Sequence, residues 1–178
     1  MLFSKPFGRS PLLARVLPFV IFVLLTYAQG KFGPASAYWF YFAKTLVGVW
    51  LVWEMRAFVT EMRWAFSWEA VVVGIGVFAL WVGLDPYYPK LMKGAGGWNP
   101  FAQFGEGSAL AWLMVVTRIA GGTLVVPPLE EAFYRSFVYR YIARPDFTTV
   151  RLNQFLPVPF IATAVLFGLS HNEWLAGI

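Results

Sequence analysis

The chain has 178 residues, of which 59% are hydrophobic, 20% aromatic and only 13% charged, about half the charge of a soluble domain. That balance excludes disorder, and the absence of cysteine excludes disulfides, Cys-ligated zinc and thiol catalysis. The formal charge of +5 is spread over the ends of apolar runs with no basic helix, so it reads as membrane topology, and no nucleic-acid partner is expected. The composition predicts an all-α, polytopic membrane protein forming a single transmembrane domain over residues 1–178, in contact with membrane lipids.

The first apolar run, Leu12 to about Tyr27, follows Lys5 and Arg9 and contains Arg15. Ala28 and Gly30 fit a signal-peptide cleavage pattern, while the apolar character of everything downstream favours a retained span. The second run is Ala37–Trp53, followed by a stretch containing Glu54, Arg56, Glu61 and Arg63. Ala70–Leu84 is a third. Residues 85–107, rich in Gly, Pro and Trp, read as a loop at a membrane surface. A fourth run, Ala109–Val126, is predicted to stop at Pro127–Pro128. An acidic helix, the polar connector "RPDFTTVRLNQ" and a last run, Phe155–Leu169, complete about five to six membrane-embedded helices.

The distribution of bases orients these runs. A cytoplasmic N-terminus places Lys5, Arg9, Arg15, Arg56, Arg63, Arg135, Arg140, Arg144 and Arg151 inside, against Lys31, Lys90 and Lys93 outside. Lys44 and Arg118 fall within runs; Lys44 is expected to snorkel to the interface, and Arg118 to need a partner.

In "VVPPLEEAFYRSF" two acids and a base interrupt this apolar chain, and ionised groups near lipid are costly. Pro128 is read as the start of a helix, so Glu130 and Glu131 would occupy its first turn and complement its dipole. The spacing supports a second reading. Glu131 and Arg135 are four apart and can pair on one face. Glu130 has no base three or four residues ahead, only Phe133 and Tyr134. A carboxylate without a cation near lipid is expected to have its pKa raised, which suits a general base. His171, the chain's single histidine, follows Phe167 by four residues in "FGLSHNEW". It reads either as an interfacial anchor beside Trp174 or, facing the acidic helix, as half of an acid/base pair or a metal ligand.

These residues carry a resemblance. "EEAFYR" (Glu130 to Arg135) resembles the EExxxR motif of the CAAX-protease and bacteriocin-processing (CPBP, or Abi) membrane peptidases, and "FGLSH" (Phe167 to His171) resembles their FxxxH motif. "VVPPLEEAFYRSFVYRYIARPDF", "SHNEWLAGI" and "RVLPFVIFVLLT" are similar to the branch associated with bacterial exosortase systems. The resemblance is strong over residues 109–178 and looser before them. The resemblance implies an endopeptidase of the bacterial inner membrane that cleaves a membrane-associated protein or peptide. Glu130 would activate the attacking water, Glu131 and Arg135 would support the site, and His171 would be the first catalytic histidine. It leaves open whether a divalent metal such as zinc, held by Glu130 and His171, takes part, and a single histidine makes a closed zinc site unexpected.

The family carries a further motif, a later histidine followed four residues on by Asn or a similar group, thought to hold the oxyanion. Loss of one such donor costs about 3–4 kcal/mol. With no second histidine in the chain, the expectation is either a piece of a longer protein or an incomplete site. The alternative function is a non-catalytic immunity or partner-binding factor on the same scaffold; an ion path through Glu130, Glu131 and His171 ranks below both.

Overall fold

The computed structural model describes residues 4–62, 66–90, 98–172 and 174–177; Arg63 and Lys93, both used above for orientation, and Glu173 lie outside them. The regular structure of the described residues is helical, without strands: α1 (Ser4–Arg9), α2 (Pro11–Ala28), α3 (Ser36–Met55), α4 (Trp68–Leu84), α5 (Pro100–Phe104), α6 (Ala109–Ala143), α7 (Pro157–Leu169) and α8 (Trp174–Gly177). Among them three helices are long and apolar enough to cross a membrane: Pro11–Ala28, Trp68–Tyr87 and the 35-residue Ala109–Ala143.

Polar caps set where the apolar runs begin. Ser10 Oγ accepts from Leu13 N at 3.3 Å with Pro11 opening α2, and Ser67 Oγ accepts from Ala70 N at 3.2 Å at the start of α4. Asn99 and Ser108 do the same for α5 and α6.

The expected break at Pro127–Pro128 does not occur, and α6 runs through both prolines. The helix widens over Gly121–Val125, where Val126 N–H reaches the Gly121 carbonyl five residues back. The wide turn makes room for two rings that bring no N–H of their own. A second wide stretch, Glu131–Tyr139, follows. Glu130 and Glu131 therefore lie inside a long helix, and the first-turn dipole explanation for them falls away.

The core gathers Phe7, Ala14, Phe22, Met55 and Val59 around one face of α6, formed by Val125, Leu129 and Ala132. Ala14 and Phe22 belong to α2, so the first apolar run is an integral layer of the packing. Close approach of α3 to α6 is possible because Gly48 and Gly121 carry no side chain: a Cβ on Gly48 would lie 2.4 Å from Val125 Cγ1. By contrast, α4 buries none of its residues.

Beside this core is a charged cluster that spacing did not reveal. Glu61 Oε1 accepts from Arg15 Nε at 3.0 Å and Nη2 at 2.6 Å, from Arg140 Nη2 at 2.6 Å, and from the Ser136 hydroxyl. Both guanidiniums also lie over the Phe147 ring, at 5.5 and 5.4 Å. Arg15 and Arg140, read above as markers of the cytoplasmic side, are buried and paired. Lys44 does not snorkel either. It is 5% exposed, donates to Thr26 Oγ1 at 3.1 Å and lies 4.5 Å from the Tyr41 ring, because its face of α3 turns towards α2. Arg118 finds the partner it needs in the Trp98 ring, 4.7 Å away.

Candidate functional site

The face of α6 opposite the core carries Glu130, Glu131, Tyr134 and Arg135, and it looks across a cavity of about 490 Å³ at Phe160, Thr163, Ala164 and Phe167 of α7. Aromatic contacts hold the two helices in register. Phe133 stacks on Phe19 of α2 at 4.2 Å, Tyr134 meets Phe167 edge-on at 5.0 Å, and Phe167 lies 4.5 Å from the His171 ring. Tyr139 closes the other end. Its hydroxyl donates to the Gln154 carbonyl at 2.6 Å and accepts from Leu156 N at 2.8 Å, so α6 fixes the point from which α7 departs.

This arrangement brings Glu130 and His171 together: Oε1 and Nε2 are 3.4 Å apart. The other ring nitrogen, Nδ1, is 2.8 Å from the Phe167 carbonyl and 3.1 Å from Ser170 Oγ. A carbonyl can only accept, so Nδ1 carries the proton in that contact. The neutral ring then presents a bare Nε2 towards Glu130, and the imidazolium presents an N–H. Ser170 hands its own proton to the same carbonyl at 2.7 Å, leaving its oxygen for the ring.

Glu131 and Arg135 form the expected i, i+4 ion pair, half exposed at the cavity wall. The four residues singled out by sequence thus lie in one region: Glu131 is paired with Arg135 as their spacing anticipates, and Glu130 lies against the histidine. Of the aromatic company expected for Glu130, Tyr134 shares its cavity wall, while Phe133 turns to Phe19 of α2. Sequence reading passed over Tyr139, Ser170 and Thr163. Tyr139 had a signal, standing on the Glu131–Arg135 stripe four residues further on. Ser170 and Thr163 had none.

For a metal, Glu130 and His171 supply two donors. No group of three His, Cys, Asp or Glu side chains converges among the described residues, whereas catalytic zinc takes three protein ligands. Glu130 and His171 alone fall one ligand short of that set. In comparison with known proteins, the chain matches no family model, no curated protein and no solved structure.

Proposed function

We propose that the protein is a membrane endopeptidase of the CPBP (Abi) type, hydrolysing a peptide bond with water activated by Glu130 and His171. The observation that carries this reading is the 3.4 Å approach of Glu130 Oε1 to His171 Nε2, made across 41 residues by two helices that also wall a cavity. A water bonded to both atoms loses one proton to Glu130 as its oxygen attacks the carbonyl carbon. The C–N bond then breaks, and the departing nitrogen takes that proton from Glu130. The Phe167 carbonyl and Ser170 hold the histidine with Nε2 towards Glu130, and Arg135 pairs with Glu131, which leaves Glu130 to the histidine. The resemblance assigns the oxyanion to a further histidine, which residues 1–178 do not supply.

We place the chain in the bacterial inner membrane with its N-terminus cytoplasmic and α2, α3, α4, α6 and α7 embedded. Support comes from α7, whose 13 residues reach about 20 Å, less than the ~30 Å hydrocarbon core. A histidine at its far end therefore lies within the bilayer when the 144–154 connector is at the surface.

The test uses detergent-purified full chain and a mixture of peptides of known sequence, with cuts mapped by mass spectrometry. Glu130→Gln and His171→Ala are each expected to lower cleavage at least a hundredfold, while Arg135→Ala mainly lowers the yield of folded protein. Native-like turnover in either of the first two would sink the catalytic reading in favour of the non-catalytic alternative.

A further inference from the structure

Attack of water on a peptide bond puts negative charge on the former carbonyl oxygen, and a donor aimed at that oxygen is worth about a hundredfold to a thousandfold in kcat. Most donors along the cavity are committed elsewhere or out of reach. Arg135 is held by Glu131, and Tyr139 donates to the Gln154 carbonyl. The Thr163 hydroxyl is shielded from any entering group. Asn153 and Gln154 come from the connector at the Tyr139 end of the cavity, two helical turns along α6 from Glu130. Tyr134 is left.

Tyr134 stands four residues after Glu130 and lines the same cavity, on the widened stretch Glu131–Tyr139. Side chains on a helix lean back towards its N-terminus, so the phenol leans over the turn that carries Glu130. Its ring is fixed from three sides, by Phe133 at 5.0 Å, Phe19 at 5.4 Å and Phe167 at 5.0 Å. Phe167 is itself 4.5 Å from the His171 ring, which places Tyr134 one ring away from the histidine. The hydroxyl is open. It makes no hydrogen bond among the described residues, and it is not one of their shielded polar atoms. Tyr41 and Tyr139, by contrast, spend their hydroxyls on the Arg118 and Gln154 carbonyls. Packing against three phenylalanines needs only a fourth ring; the oxygen serves something else.

Resting on the endopeptidase reading, we infer that Tyr134 is a further catalytic residue, whose hydroxyl donates to the carbonyl oxygen of the bond being cut. As the water oxygen bonds to the carbonyl carbon, the C=O π pair moves onto the carbonyl oxygen. The phenol O–H strengthens its hydrogen bond to that oxygen and keeps its own proton. When the C–N bond breaks, the pair returns to restore C=O, and Glu130 passes the proton it took from water to the nitrogen. Glu130 and Tyr134, one turn apart on α6, thus serve the water and the carbonyl oxygen of one substrate bond.

The same peptide mixture and full chain provide the test, with Tyr134→Phe compared with the native protein. Tyr134→Phe should lower kcat about a hundredfold or more, with KM within about twofold of native. Its thermal unfolding in detergent should match the native protein, because the hydroxyl has no partner among the described residues. A binding measurement adds a readout without turnover. In the best-cut peptide, a phosphonamidate replacing the scissile amide carries a charged oxygen where the oxyanion forms. It should bind the native protein about a hundredfold more tightly than it binds Tyr134→Phe. Native-like kcat, a fall in unfolding temperature, or equal phosphonamidate binding would overturn the inference. If Glu130→Gln were still silent, the endopeptidase reading would survive that failure. No cut by the native protein would overturn both.

Discussion

Burial of the Glu61 carboxyl opposes its ionisation, but hydrogen bonds from Ser136 and Arg15, together with the Arg15 charge, reverse that effect and bring its pKa from 4.5 down to about 2. The folded pKa lies below the unfolded one, so this contribution is complete above pH 4.5 and is lost as pH falls from there towards 2. With solvent screening, it is worth about 2 kcal/mol. Glu61→Gln is expected to cost more at pH 7, about 3–5 kcal/mol, because Arg15 and Arg140 stay buried without their counter-charge. Thermal unfolding in detergent should show the gap between native and Glu61→Gln narrowing as pH drops through that window. A gap independent of pH would mean that the carboxylate charge is not what holds the cluster. The pairing of Glu131 with Arg135 was legible beforehand because the two are four apart, which left Glu130 apart from it; His171 was marked by the "FGLSH" resemblance and not by spacing. Glu61 was not legible: its partners are 46, 75 and 79 residues away, and no periodicity reports contacts across such separations.

The positions of the helices were mostly legible as apolar runs bounded by Ser, Asn, Gly and Pro. The exception is α6, where two adjacent prolines read as a stop. A proline pair ends a helix when the released carbonyls can turn to water; in an apolar setting, widening the turn keeps the chain helical instead. That continuity presents Glu130 to α7 while Val125 and Leu129, on the same helix, face α3 and α2. The close crossing of α3 and α6 gives a direct check. Gly48→Ala drives a methyl into Val125 and is expected to cost about 1–3 kcal/mol. Gly121→Ala meets Thr45 Oγ1 at 2.8 Å and Tyr41 Oη at 3.1 Å, and should behave alike. Gly74→Ala, with nothing within 4 Å, should leave thermal unfolding in detergent unchanged or slightly raised. Equal effects at Gly48 and Gly74 would contradict the packing of α3 on α6.

At the scale of the molecule, sidedness and site depth are one question, because α6 and α7 carry the reacting groups away from a common connector. Glu130 stands 13 residues before Ala143 and His171 stands 14 after Pro157, so each lies about 20 Å from that connector. At the other end Trp174 Nε1 donates to the Pro89 carbonyl at 3.0 Å, and the Trp174 ring meets Tyr88 edge-on. The residues just beyond His171 are thereby tied to the end of α4, whose exit from the membrane the proposed topology places outside. A cytoplasmic connector would put the site in the outer half of the bilayer, away from the cytoplasmic surface at which the distribution of bases counts Arg135. The absence of cysteine makes this measurable with single-cysteine variants and a membrane-impermeant maleimide. Glu106→Cys and Lys31→Cys should label on intact cells, and Asp146→Cys only after permeabilisation. The reverse pattern would invert the protein, and labelling of Glu106→Cys and Asp146→Cys from the same side would mean that α6 does not cross. In the expected orientation, Glu130 and His171 lie nearer the outer surface than the connector does. Cleavage in cells should then be blocked by an impermeant adduct at Leu175→Cys, a position beside Trp174, and not by one at Lys31→Cys.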